Sequence, residues 1–172
     1  MTNNENSRID EKTRHEMDIL ENSREYLTVY LADQIFGLPV LQVQDVLGEH
    51  KVTRIPLAPP QVDGSLNLRG RIVTAINVRR CLGLPDYAGE RKQMGVVVEY
   101  EDELYSLLID KVGDVLALHD EDFEAPPATL DKMWRDVATG IYRMEKSLLV
   151  VLDIPKLLNT IDIKKENVQA QA

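Results

Sequence analysis

The chain repeats itself. Residues Tyr26–Leu47 lie over Gly95–Leu116 at an offset of 69 without a gap, and seven of the 22 positions are identical. These are Val29 with Val98, Asp33 with Asp102, Leu38 with Leu107, Val43 with Val112, and Asp45-Val46-Leu47 with Asp114-Val115-Leu116. A second block follows at an offset of 76: Gly64 falls on Gly140, Ile72-Val73 on Leu148-Leu149, Ile76-Asn77-Val78 on Leu152-Asp153-Ile154, and Leu82 on Leu158. Val and Leu match easily by chance, but turn aspartates and glycines matched in the same order do not. Two copies of one pattern call for two copies of one substructure.

Between polar ends, the apolar residues come in short bursts rich in Val, Ile, Leu and Tyr, broken by turn residues at all-β spacing. Tyr26–Leu31, Ile35–Pro39, Ile72–Asn77, Gly95–Glu99, Leu104–Asp110 and Leu148–Asp153 read as strands. Ala32-Asp33-Gln34 and Tyr100-Glu101-Asp102-Glu103 sit where hairpin turns would. Helix is confined to Leu130–Val137, with Asp131 as its cap, and short turns at Val78–Leu82 and Ile154–Leu158. Five short strands per half can curl into a small closed barrel without free edges. The expectation is an all-β domain over 25–159, built of two five-stranded barrel subdomains at about 26–85 and 95–159 and joined by the polar segment Asp86–Met94. Residues 1–24 read as a flexible or partly helical tail, with a helix starting near Ser7 or Asp10, and 160–172 as a fraying end. Val29, Leu38, Val46, Ile76, Val98, Leu107, Val115 and Leu152 recur on strand patterns and are predicted to be buried.

Twenty Lys and Arg against 29 Asp and Glu give a net charge of −9. That balance disfavours nucleic acid, whose phosphates need facing cations. The single cysteine, Cys81, allows neither an internal disulfide nor a CxxC knuckle, suits a reducing cytosol, and reads as a small buried residue. His15, His50 and His119 stand far apart. GxxxxGK[ST], GxGxxG, GxSxG and HExxH are all missing. The acidic runs Glu99–Glu103 and Asp120–Glu124 lack the glycine and alternation of a calcium loop and read as solvated turns. No enzyme, cofactor or metal is expected. The polar start is neither signal peptide nor anchor, and no apolar run reaches the roughly 18 residues that span a bilayer. Membrane association is therefore expected to go through a partner.

One stretch stands apart: Asp63-Gly-Ser-Leu-Asn-Leu-Arg-Gly-Arg71, preceded by Ile55-Pro56-Leu57-Ala58-Pro59-Pro60. Leu66 and Leu68 alternate with Asn67 and Arg69, so one face packs and the other presents polar groups. Residue chemistry leaves two readings open. Arg69 is either a surface cation on a structural turn, or a multi-donor group fixed on rigid backbone for recognition.

Gly37-Leu-Pro-Val-Leu-Gln-Val-Gln-Asp-Val46, Val62-Asp-Gly-Ser-Leu-Asn-Leu-Arg-Gly70, Ile72–Arg79, Leu108–Leu116, Pro126-Pro127, Gly140-Ile141 and Leu148–Leu158 together resemble the CheW family of chemotaxis coupling proteins. The resemblance covers about residues 24–159. It implies two SH3-like β-barrels and a non-enzymatic adaptor that couples the cytoplasmic tip of methyl-accepting chemoreceptors to the regulatory domain of the histidine kinase CheA. Such a protein is cytoplasmic and is recruited to membrane-bound receptor arrays. The same resemblance carries Val43 and Asp45 onto the receptor-binding groove, with Arg69 in support, and Gly64, Asn67, Arg69 and Gly70 onto the signature loop and partner surface. Asp45 stands where Glu is usual, Asn77 where Asp is common, and Ser65 where an apolar residue is frequent. A paralogous adaptor of a pathway controlling pili, gliding or development would look the same.

Overall fold

The computed structural model describes residues 4–86 and 92–161. A helix, α1 (Asn4–Glu21), precedes ten strands. The first half holds β1 (Ser23–Leu31), β2 (Gln34–Pro39), β3 (Val43–Leu47), β4 (Val62–Leu68), β5 (Arg71–Asn77) and the short α2 (Val78–Cys81). The second holds β6 (Met94–Tyr100), β7 (Glu103–Ile109), β8 (Lys111–His119), α3 (Lys132–Val137), β9 (Ala138–Arg143), β10 (Leu148–Leu152) and α4 (Ile154–Asn159). The α1 helix begins earlier than the sequence suggested. The expected tail lies outside the described residues from 162 onward, as does 87–91 of the expected linker.

The repeat is visible strand for strand: β1 to β5 and α2 correspond to β6 to β10 and α4. The two-residue turn Glu101-Asp102 has both residues at positive φ, the type I′ geometry whose twist suits a hairpin. Its counterpart, Ala32-Asp33, joins β1 to β2. Asn77 and Asp153, matched in the sequence, both cap the short helix that follows by accepting from the backbone N–H of Arg80 and Lys156. Asp131 does the same for α3.

Sequence halves and barrels do not coincide, which corrects the expected division at 26–85 and 95–159. One sheet runs β8-β1-β2-β10-β9 and the other β3-β6-β7-β5-β4. Each sheet thus takes its leading hairpin from one half and its other three strands from the other half. The exchange is made by two equivalent parallel pairings, Phe36 with Val150 beside Gly37 with Val151, and Thr74 with Tyr105 beside Ala75 with Ser106. Barrel A below is the one containing β1, and barrel B the one containing β6.

Three apolar clusters follow. Tyr26, Tyr142, Leu149 and Val151 fill barrel A, and Leu66, Val73, Ala75, Val97, Leu104 and Leu108 fill barrel B. The largest lies between the barrels. Val29, Phe36, Leu38, Ile76, Val98, Leu107 and Leu152 meet there, and Val137, Ile154 and Leu157 from α3 and α4 plug it. Trp134 packs edge-on against Phe36 and donates its indole N–H to the Leu82 carbonyl at 2.9 Å. Six of the eight predicted core residues are buried. Val46 and Val115, the two copies of one repeat position, are 39% and 52% exposed. Both sit on the end strand of a sheet, past a β-bulge. Their bulge-side neighbours Val43 and Val112 still pack on the central core, but the strand has left it by Val46 and Val115.

A buried ion pair fastens the junction. Arg79 of α2 donates from Nε and Nη2 to the two carboxylate oxygens of Asp110, at 2.9 and 2.5 Å, and from Nη1 to the Pro85 carbonyl. Asp110 also accepts from the Ala32 backbone N–H at 2.7 Å, and its own N–H donates to the Tyr30 carbonyl. A charge this deep persists only when paired and hydrogen-bonded. Asp110→Ala, which takes the carboxylate from a buried guanidinium, should lower unfolding free energy by about 3–5 kcal/mol. Val115→Ala should stay within about 1 kcal/mol of the parent chain. Urea titration of both variants checks the pair, and an Asp110→Ala midpoint matching the parent would show that the ion pair does not hold the junction.

Candidate functional site

The signature stretch folds as β4, a tight turn, and β5. Leu68 pairs with Arg71, leaving Arg69 and Gly70 as a two-residue loop with φ of 52° and 84°. Both central positions are left-handed, as a type I′ turn demands, and Gly70 occupies one of them without penalty. Asn67 accepts the Gly70 backbone N–H on its side-chain oxygen at 2.9 Å, which pins the turn. Asn67, Arg69 and Gly70 therefore form a preset hairpin tip with the arginine at its apex.

Gly64 plays a different part. Thr53 and Ser65 exchange backbone hydrogen bonds at 2.8 Å, so the segment after β3 lies against β4. A Cβ on Gly64 would collide with the Thr53 carbonyl oxygen. Gly140 does the same in the other barrel: Glu124 bridges to Ile141, and a Cβ on Gly140 would strike Phe123 and the Glu124 carbonyl. The matched glycines in the sequence thus mark two equivalent close approaches of backbone to backbone.

The end strands of barrel B are β3 and β4, and side chains from β3 and from the turn after β4 meet across the gap between them. There Arg69 Nη2 stands 3.4 Å from Asp45 Oδ2, with side-chain exposures of 84% and 31%. Asp45 also accepts from the Val46 backbone N–H. The structure thus brings Asp45, Arg69, Asn67 and Gly70 to one rim. Val43 is not on the same face as Asp45, contrary to simple alternation along a strand. A bulge at Gln44 sets Val43 opposite Val98 and Asp45 opposite Val97, and those neighbours on β6 point to opposite sides. Val43 turns to the central core, and Asp45 to the rim of barrel B.

A brace behind this rim was not foreseen. Arg80 is held by Asp86 at 3.0 Å, by Asp63 at 3.7 Å and by the Pro60 carbonyl at 2.7 Å, and Asn77 reaches Asp63 at 3.3 Å. The hydrogen bond from Arg80 keeps the Asp86 carboxyl below its ordinary range. Adjacent arginines in a short polar helix read as solvated, so spacing offered no signal for either pair. Exposed apolar side chains nearby are Val46, Ile55, Leu57 and Ile72. Leu57 is held at a φ of 61°, which a leucine rarely adopts.

Among the described residues, no group of three or more His, Cys, Asp or Glu side chains gathers as metal ligands would. The Cys81 thiol is buried, and desolvation pushes it from 9.0 up to about 12. Among the described residues, no helix is long and apolar enough to cross a membrane.

A family model for the CheW-like domain matches residues 25–162, which takes in β2 to β10 whole and β1 from its third residue. The chain belongs to the CheW-like family. It is 28% identical over 153 residues to the chemotaxis protein CheW of Treponema pallidum, covering 87% of this chain and 90% of that one. It is 27% identical over 121 residues to the protein PilI of Pseudomonas aeruginosa, covering 70% of this chain and 67% of that one. Among solved structures, the scaffolding protein CheW of Thermoanaerobacter tengcongensis superposes with a TM-score of 0.68 at 23% identity, covering 76% and 88% of the two chains. That likeness establishes the double-barrel, SH3-like fold.

Two outcomes follow from this geometry. Gly64→Ala should destabilise the chain by about 1–3 kcal/mol, the range for forcing extra atoms into a packed site, with heightened amide exchange at Thr53 and Ser65. An unchanged melting midpoint would show that the close approach relaxes freely. For Cys81, a thiol whose folded value is raised stabilises the fold fully below its unfolded value near 9, and that contribution fades as pH climbs toward about 12. Maleimide should therefore label Cys81 at pH 8 only in denaturant. Labelling of the native chain at the rate of a free thiol would contradict its burial.

Proposed function

We propose that this chain is a chemotaxis adaptor coupling the cytoplasmic tip of methyl-accepting chemoreceptors to the regulatory domain of the histidine kinase CheA. It works at the cytoplasmic side of receptor arrays and reaches the membrane through its partners. CheW-family proteins are scaffolds and not catalysts. The observation that carries the reading is the family match across the whole double barrel, residues 25–162. A rim with a preset hairpin, an exposed ion pair and scattered apolar side chains supports it, because such a surface is fitted for docking. The likeness to PilI supports a second reading, an adaptor of a paralogous chemosensory pathway controlling pili, gliding or development.

We assign the receptor contact to the rim of barrel B, where Asp45 and Arg69 meet, with Val43 next along β3 and turned to the core between the barrels. A receptor tip is a helical hairpin. Such a hairpin docks by laying apolar side chains into a groove while charges at the rim set its register. The Asp45–Arg69 pair is solvent-exposed, so its worth to folding is about 0–1 kcal/mol. Asp45→Lys should therefore leave the melting midpoint and CheA binding nearly unchanged, and weaken binding of a receptor hairpin fragment by roughly 1–3 kcal/mol. Calorimetric titration with each partner decides the matter. Joint loss of both partners, or a markedly lower midpoint, would make Asp45 structural and send the receptor contact elsewhere.

A further inference from the structure

Barrel B contains a polar couple that barrel A lacks. By the repeat, Tyr26 and Gly37 of barrel A correspond to Gly95 and Ser106 of barrel B. In barrel A the Tyr26 ring is buried edge-on against Tyr142 at 5.5 Å. In barrel B, Gly95 leaves that space open, and His50, from the segment after β3, fills it. A Cβ on Gly95 would collide with Ser106 Oγ and stand 3.0 Å from His50 Cε1 and 3.7 Å from His50 Nε2. Both Ser106 Oγ and His50 Nε2 are buried, and neither has a hydrogen-bond partner among the described residues. Ser106 is fully enclosed among the apolar side chains of the barrel.

The protonation of the ring follows from its other nitrogen. His50 Nδ1 lies 2.7 Å from the Gly48 carbonyl oxygen, which can only accept, so Nδ1 carries the proton. In the neutral ring Nε2 is then a bare acceptor, buried beside a hydroxyl that needs one. Two unsatisfied polar groups enclosed together are costly unless they satisfy each other.

We propose that a turn of the Ser106 side chain closes the gap left between these two unpartnered atoms, its hydroxyl donating to His50 Nε2, and that this couple latches the segment from Gly48 to Gln61 onto barrel B. The latched segment carries Thr53, which bridges β4 over Gly64, and it ends at Gln61, whose carbonyl accepts the Asn77 N–H. Seating it fixes the back of the hairpin whose tip holds Arg69. His50 and Ser106 are thus positioning residues for the partner rim, acting through Thr53 and β4 without reaching the surface contact themselves. This rests on the rim being a docking surface, as proposed above.

The test uses the full chain labelled with nitrogen-15. Long-range proton–nitrogen spectra should show His50 protonated at Nδ1 and bare at Nε2, and Ser106→Ala should move the Nε2 resonance. In Ser106→Ala and in His50→Phe, which fills the same space but cannot accept, amide exchange across residues 50–57 should quicken by about tenfold. Exchange in barrel A should hold at parent rates. His50→Gln, which keeps an acceptor, should recover part of the loss. A receptor hairpin fragment should bind Ser106→Ala about threefold to tenfold more weakly than the parent, on the scale of one lost hydrogen bond. A proton on Nε2, or unchanged nitrogen shifts and exchange in Ser106→Ala, would overturn the latch. Faster exchange with unaltered hairpin binding, while Asp45→Lys still weakens it, would overturn only the link from latch to rim. Should Asp45→Lys also leave binding untouched, the docking reading falls, and the nitrogen shifts still judge the latch.

Discussion

Neither barrel closes with strands from its own half of the chain. The parallel pairings of β2 with β10 and of β5 with β7 set each half's leading hairpin among the other half's strands. Everything else depends on that exchange. The largest apolar cluster lies between the barrels because both hairpins turn a face toward the shared middle. The Arg79–Asp110 pair sits at the seam, tying α2 and the end of β7 to the turn between β1 and β2. A charge pair there contributes specificity more than stability, since it is satisfied only when hairpin, helix and strand end arrive in one arrangement.

For an adaptor, such a seam has a use. Two independent barrels on a linker would flex, and a partner held on one would lose its geometry relative to a partner held on the other. Interleaved barrels act as one rigid block. The rim of barrel B is likewise preset, with the Arg69-Gly70 turn pinned by Asn67, the strand under it crossed by Thr53, and α2 braced by Arg80 against Asp63 and Asp86. Docking surfaces that are rigid before they bind lose little freedom on binding.

Much of this was legible in the residues because most features have a local cause. The turn aspartates and the cap Asp131 act within a few residues of where they stand, as do Asn77 and Asp153, which the repeat marked as a pair. The glycines were matched too, but the backbones that they admit, at Thr53 and Glu124, lie far off in the chain. The exchange of hairpins left no such trace. Gly37 beside Val151 or beside Ala75 would look the same in the chain, since strand pairing through the backbone does not identify its partner. The same limit explains Arg79 and Asp110, whose contact spans thirty-one positions. Val46 and Val115 failed as core residues for a nearer reason. Past the bulges at Gln44 and Gly113 they lie opposite Val96 and Leu27 of the central core, but the end strand has already drawn away from that core, and only a partner strand reveals the bulge. The bulge also parted Val43 from Asp45, which spacing alone put on one face. Asp45 and Arg69, grouped by resemblance in one receptor contact, are seen as an ion pair only in the folded chain.

The interleaving also bears on how the chain acquires its shape as it leaves the ribosome. When β5 has emerged, β3 and β4 still lack the strands that fill the space between them, and the β1–β2 hairpin has no neighbour on either side. The first half must wait, apolar faces uncovered and strand edges unpaired, until β10 is made and can slide in beside β2. Pairings between such distant parts of a chain form slowly, and uncovered edges invite association with other chains. A domain of sequential barrels could mature from its N-terminus onward. This one matures all at once and late, so the yield of active adaptor in a cell depends on how well the waiting first half is sheltered.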